Sequence, residues 1–160
     1  MQRPLLQALL VADHVYTDRA SDQKIIAGVR RKIRFYKESI DNEEVAPKPE
    51  TPEKSIVQGG VTLGGPSLFI YISLTEIYGQ QDFLLRYVNL DTDLARFEKS
   101  ISVVSKDPLE VIEAVYPLPQ LPIGADGVFA VELVWEDETL GAFRILFEEV
   151  EKPNSNGGPS

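Results

Sequence analysis

The amino-acid sequence predicts an all-β protein, an antiparallel β-sandwich of seven to eight short strands with one long loop. Three observations carry this reading. Apolar residues alternate with period two along most of the chain, the spacing at which a strand turns its side chains to opposite faces. The apolar positions are filled mainly by β-branched and aromatic residues, which suit a pleated, half-buried surface. Turn signals recur between the runs at regular spacing, and no stretch reads as a convincing helix. A closed β-barrel is the alternative, because strand number alone does not separate the two architectures.

Leu5 to Thr17 reads as a long strand, with Leu6, Ala8, Leu10 and Ala12 on one face and Leu5, Leu9, Val11 and Val15 on the other. A strand apolar on both faces belongs inside a sheet. Asp18-Arg19-Ala20-Ser21-Asp22 is a turn by composition. Gln23 to Phe35 then alternates, with Ile25, Ala27, Val29, Ile33 and Phe35 on one side, and is expected to pair with the first strand as a hairpin.

Composition breaks next. Residues 37–66 hold Pro47, Pro49, Pro52 and Pro66, the glycines Gly59, Gly60, Gly64 and Gly65, and the acidic cluster Asp41 to Glu44. So much proline, glycine and charge with so little large apolar content predicts a disordered insertion.

Strands resume at Leu68 to Thr75, apolar on both faces and therefore central, and continue with Phe83 to Leu90, Phe97 to Val104 and Leu109 to Tyr116. The turn Gly124-Ala125-Asp126-Gly127 opens Val128 to Trp135, with Phe129, Val131, Leu133 and Trp135 on one face. Leu140 to Val150 closes the fold, with Phe143, Ile145 and Phe147 inward. The expected organisation is one domain, 1–150, interrupted at 37–66 and followed by a flexible tail, 151–160.

Composition excludes several chemistries. With no cysteine in 160 residues there is no disulfide framework, thiol nucleophile or thiolate zinc site. His14 is the one histidine, so one chain cannot assemble a two-histidine metal centre. A net charge of −9 disfavours nucleic acid as a partner. The apolar run Leu5 to Ala12 is broken by Gln7 and is too short for a transmembrane helix. No small-residue cleavage site follows it, so the expected compartment is the cytoplasm, with no membrane association.

Two stretches carry a resemblance. The first is Asp13-His14-Val15 and Asp18, then Lys24-Ile25-Ile26-Ala27-Gly28-Val29; the second is Pro108 to Glu113, then Gly127 to Leu133 and Leu140-Gly141. Together they resemble an uncharacterised bacterial β-sandwich family whose members open on a D-x-V…D…K-x-x-I-x-G-V pattern. The closing hairpin also looks like those common in immunoglobulin-like sandwiches. The chain departs from the family at Arg30, where its members carry Phe. The resemblance implies the fold and implies no activity.

Candidate constellations are few. His14 beside Asp13 invites a base-and-orienter reading, but strand neighbours point to opposite faces, which leaves Asp18, of His14's own parity, as the nearer partner. Asp91-x-Asp93 opens like a calcium loop, yet Arg96 and Ser102 stand where an EF-hand needs Gly and Glu. A looser site of Asp91, Asp93 and Asp126 would require their loops at one end of the fold. The glycine pairs at 59–60 and 64–65 lack the Lys-Ser/Thr of a phosphate loop.

The basic run Arg30, Arg31, Lys32, Arg34 and Lys37 is the least ordinary feature in so acidic a chain. By parity Lys24, Arg30, Lys32 and Arg34 share one face of the second strand, opposite Ile25, Val29 and Ile33, and form the candidate partner-binding strip. The expected function is therefore a non-catalytic binding module for another protein, with no catalytic residue, no metal and no cofactor. The alternatives are a small hydrolase or metal-dependent enzyme centred on His14 with Asp13 or Asp18, and a structural or assembly subunit.

Overall fold

Nine strands form two sheets in the computed structural model, which describes residues 2–36, 68–118 and 127–151. They are β1 (Leu5–Thr17), β2 (Lys24–Val29), β3 (Lys32–Tyr36), β4 (Phe69–Thr75), β5 (Gly79–Asn89), β6 (Leu94–Ser105), β7 (Ile112–Pro117), β8 (Gly127–Trp135) and β9 (Glu138–Val150). One sheet has the order β2-β1-β4-β7 and the other β3-β9-β8-β5-β6. The sheets end on four separate edges, so the sandwich stands and the barrel alternative does not.

β1 and β4 lie inside the four-stranded sheet, where their two-sided apolarity places them. Leu9, Val11, Ile70, Ile72 and Leu74 turn inward from this sheet. They meet Phe83, Leu85, Val131, Leu133, Phe143 and Ile145 from the five-stranded sheet in one continuous core. The inward rows expected for the last two strands are the ones found: Phe129, Val131, Leu133 and Trp135, then Phe143, Ile145 and Phe147, are all buried. Trp135 also needs a polar partner once buried, and its indole N–H donates to Gln81 Oε1 at 3.0 Å.

Nine strands stand where seven to eight were expected, and several boundaries differ: β5 begins at Gly79 rather than Phe83, and β6 at Leu94 rather than Phe97. The strand predicted from Leu109 begins at Ile112, because Asp107 organises a turn ahead of it. Its carboxylate accepts from the Leu109 N–H at 2.9 Å and its carbonyl from the Glu110 N–H at 3.0 Å. Those local bonds compete with the ladder.

The larger correction is at residues 23–35, where one expected strand is two strands in different sheets. The Arg30 N–H still bonds to Val11 O of β1, at 2.8 Å, whereas the Arg31 carbonyl accepts from Leu146 N of β9, at 2.9 Å. The chain therefore changes sheets between these two arginines. Gly28, at φ +73°, supplies the left-handed backbone just before the crossing. β3 then runs parallel to β9, the one parallel pair in an otherwise antiparallel fold among the described residues.

The insertion expected at 37–66, all but the first residue of the tail expected at 151–160, and Gly124 to Asp126 of the turn expected before β8 lie outside the described residues.

Candidate functional site

The crossing redistributes the basic residues that a single strand would have aligned. Lys24 begins β2, and its ammonium donates to Thr17 Oγ1 at 2.6 Å. Arg30 sits at the crossing with its Nε 2.8 Å from Asp13 Oδ1. Lys32 and Arg34 have moved to the five-stranded sheet, where both reach Glu148 Oε2, at 2.8 and 3.3 Å. Lys24, Arg30, Lys32 and Arg34 thus do not share one strand face. They form a broken border along β2 and β3, and two carboxylates, Asp13 and Glu148, answer the five cations from Lys24 to Arg34.

These pairs leave a titration signature. The hydrogen bond from Lys32, with the charges of Lys32 and Arg34, holds the Glu148 carboxyl below its ordinary value of 4.5. A depressed carboxylate supports the fold above that ordinary value and loses its contribution as pH falls through the folded-state value. Amide protection factors in β3 are therefore expected to fall below about pH 4.5, and Glu148→Gln should show the weaker protection already at pH 7. The effect should be small, since all three side chains are well exposed. Equal β3 protection in both proteins at pH 7 would show that the ion pairs do not hold the strand.

His14 stands apart from both of its candidate carboxylates. It pairs across the sheet with Ala27 and is exposed on the outer face. Asp13 leaves β1 on the other side and belongs to Arg30. Asp18 is occupied in the β1–β2 turn, accepting from Ser21 Oγ at 2.6 Å and Ala20 N at 3.2 Å, and the Ser21 bond keeps its carboxyl below the usual range. No base-and-orienter pair forms at His14.

Asp91 and Asp93 lie in the β5–β6 turn, shaped by Asn89, whose side-chain oxygen accepts from Asp91 N at 2.9 Å. A Cβ placed on Gly127 would meet Asp91 Oδ2 at 2.9 Å, so this turn and the start of β8 share one end of the sandwich. Asp126 itself is outside the described residues. Among those described, no group of three His, Asp or Glu side chains is placed to hold a metal ion.

Sequence reasoning missed the apolar outer face of β1 and β2. Val11 faces the core, so Ala12, His14 and Tyr16 face outward, and the register pairs them with Val29, Ala27 and Ile25. Tyr16 is 53% exposed, Val29 44% and Ile25 38%. None of these six outward residues is Asp, Glu, Lys or Arg, and all but Ala12, which is fully covered, are at least partly exposed. An uncovered sheet face normally carries polar residues in these places. The signal was present in the sequence: the apolar row Ile25, Ala27 and Val29 is plain, but alternation does not say which face is inside.

No protein-family model matches the sequence, and no curated protein matches it. Among the described residues, no helix is long and apolar enough to cross a membrane.

Proposed function

We propose that this chain is a non-catalytic β-sandwich module that works by binding another protein, with the outer face of β1 and β2 as its contact surface. The observation that carries the reading is the absence of charge among six adjacent outward positions in a chain that is 26% charged. Interface centres are depleted of charge and enriched in aromatic residues, and their rims are polar. Here Tyr16, Ile25 and Val29 supply the centre. Lys24 and Arg30, at the two ends of β2, supply a rim, and Arg31, Lys32 and Arg34 continue it onto the next sheet. The partner implied is a protein with an apolar patch bordered by acidic groups. Binding would be steered by charge and held by the buried apolar area.

The strand order supports an immunoglobulin-like arrangement for this cytoplasmic module. The neighbours β1-β4-β7 read as strands A-B-E, and β5-β8-β9 as C-F-G. The enzyme alternative draws no support from the geometry at His14, since no carboxylate shares its face on β1 or β2.

The test is affinity capture with the wild type and with Ile25→Glu/Val29→Glu, followed by cross-linking from Lys24. Burying a charge in an interface centre costs about 2 kcal/mol or more, so bound partner should fall some 30-fold. Both positions are exposed, and the folded state should survive. An identical partner set with the folded variant would refute this surface.

A further inference from the structure

Among the described residues β6 ends the five-stranded sheet, and one row of its backbone N–H and C=O groups has no described strand beside it. With 12 residues it is the longest of the four sheet edges, against 6 in β2, 6 in β7 and 5 in β3. Edge strands are commonly protected by proline, by a bulge or by charged side chains. β6 has no proline, and its ladder with β5, irregular once at Arg96, runs unbroken from Phe97 to Ser105. Its central lysine, Lys99, is engaged elsewhere, with its ammonium 4.6 Å from the centre of the Tyr116 ring on β7.

Beside this edge, on the outer face of the same sheet, lies a groove of about 550 Å³. Its floor is the cross-strand pair Leu84 and Val134, and Ser100 and Ser102 of β6 form one wall. Asp82, Glu136 and Asp137 surround it, and among the described residues no Lys or Arg lines it. Elsewhere Asp13, Glu98, Glu132, Glu138 and Glu148 each face a cation. The three groove carboxylates form no ion pair with any described residue. The groove therefore joins an open backbone edge, an apolar floor and uncompensated negative charge.

We propose that the β6 edge receives an extended basic segment of a partner protein, added as a further strand whose lysine or arginine side chains reach into this groove. Strands lie about 4.8 Å apart, so a long basic side chain on the added strand crosses over β6 and brings its head toward the side chains that rise from β5. Its aliphatic stem lies over Ser100 and Ser102 of β6 while its charged head turns toward Asp82, with Glu136 and Asp137 adding to the negative field beyond, the division that such side chains favour. Main-chain bonds supply affinity, and the groove selects the basic residue. A second copy of this chain fits poorly. Two-fold pairing of β6 with itself in a continuous sheet would set two acidic grooves side by side on one face, with like charges opposed. The site is separate from the apolar face of β1 and β2, and it stands or falls independently of it.

The probe is a synthetic ten-residue peptide of alternating lysine and valine. Its control has the same charge with every valine replaced by proline, which cannot complete the ladder. The whole chain is titrated with each peptide, and amide protection is followed by hydrogen exchange. The alternating peptide should bind at least about tenfold more tightly than the proline control, protect amides within Leu94–Ser105 and weaken with added salt. Asp82→Asn/Glu136→Asn/Asp137→Asn should lose that binding by about tenfold or more. Asn suits the left-handed backbone at 136 and 137, where φ is 47° and 65°, so the turn is kept. Equal binding of both peptides, protection confined to another edge, self-association through β6 without peptide, or no binding at low salt would each overturn the proposal.

Discussion

Replacing Phe129 with alanine is expected to destabilise the domain by about 3–5 kcal/mol, the loss usual for a buried phenylalanine that leaves a cavity. The ring is the middle member of an aromatic trio. It stacks on Tyr87 with centroids 5.2 Å apart and planes at 11°, and meets Phe147 edge-on at 5.0 Å and 80°. Through β8 it is paired with Asn89 of β5 on one side and Ile145 of β9 on the other. Removing it therefore opens a gap between three strands that cannot all close on one methyl group. Tyr87 shares the consequence: burial already pushes its phenol well above the ordinary value of 10.0, with Arg96 opposing. Domains of this size have only about 5–15 kcal/mol in total. Urea unfolding should show a much lower midpoint for Phe129→Ala. Phe129→Leu, which keeps most of the volume, should lose only about 1–2 kcal/mol. A loss below about 1 kcal/mol for the alanine variant would mean the trio is not the structural centre of its end of the core.

The second large effect is expected at the sheet crossing. Gly28→Ala should cost about 2–4 kcal/mol, from two causes that can be separated. Its φ of +73° carries a penalty of about 1–2 kcal/mol for any residue with a Cβ. An added Cβ would also fall 2.3 Å from Asp13 Oδ2 and 2.9 Å from its Cγ, which displaces the carboxylate that pairs with Arg30. Gly79 is the internal control, because it has the same φ of +73° with nothing within 4 Å of the place a Cβ would take. Gly79→Ala should therefore show the backbone penalty alone. Asp13→Ala in the Gly28→Ala background should recover most of the steric part, leaving the contact with the Cβ of residue 13 at 3.0 Å. Equal losses at Gly28 and Gly79 in thermal or urea unfolding would eliminate the clash as a cause.

How much was legible depends on the residue. The runs that became β1 and β4 are apolar on both faces, and those that became β8 and β9 alternate between clear turns, so their positions followed from local pattern alone. Asp107 shows the first limit. Its bonds to Leu109 and Glu110 take those residues out of a run whose composition still reads as strand. The basic strip shows the second. Lys32 and Arg34 find Glu148, 114 residues beyond Arg34, and no local feature announces that partner. The β6 groove is of the same kind, since Asp82 and the pair Glu136–Asp137 lie on separate hairpins that only sheet pairing brings together.

Local pattern was enough for the all-β class and the places of most strands, because alternation and turn chemistry are properties of short stretches of chain. Which face of each strand is inside depended on packing. A period of two is unchanged when the faces are exchanged, so Ile25, Ala27 and Val29 read equally well as core or as surface. The register of β2 on β1, anchored by Val11 in the core, turns them outward. Partner choice broke the strand between Arg30 and Arg31 in the same way: backbone donors and acceptors are alike in every strand, and only packing determines which neighbour satisfies them.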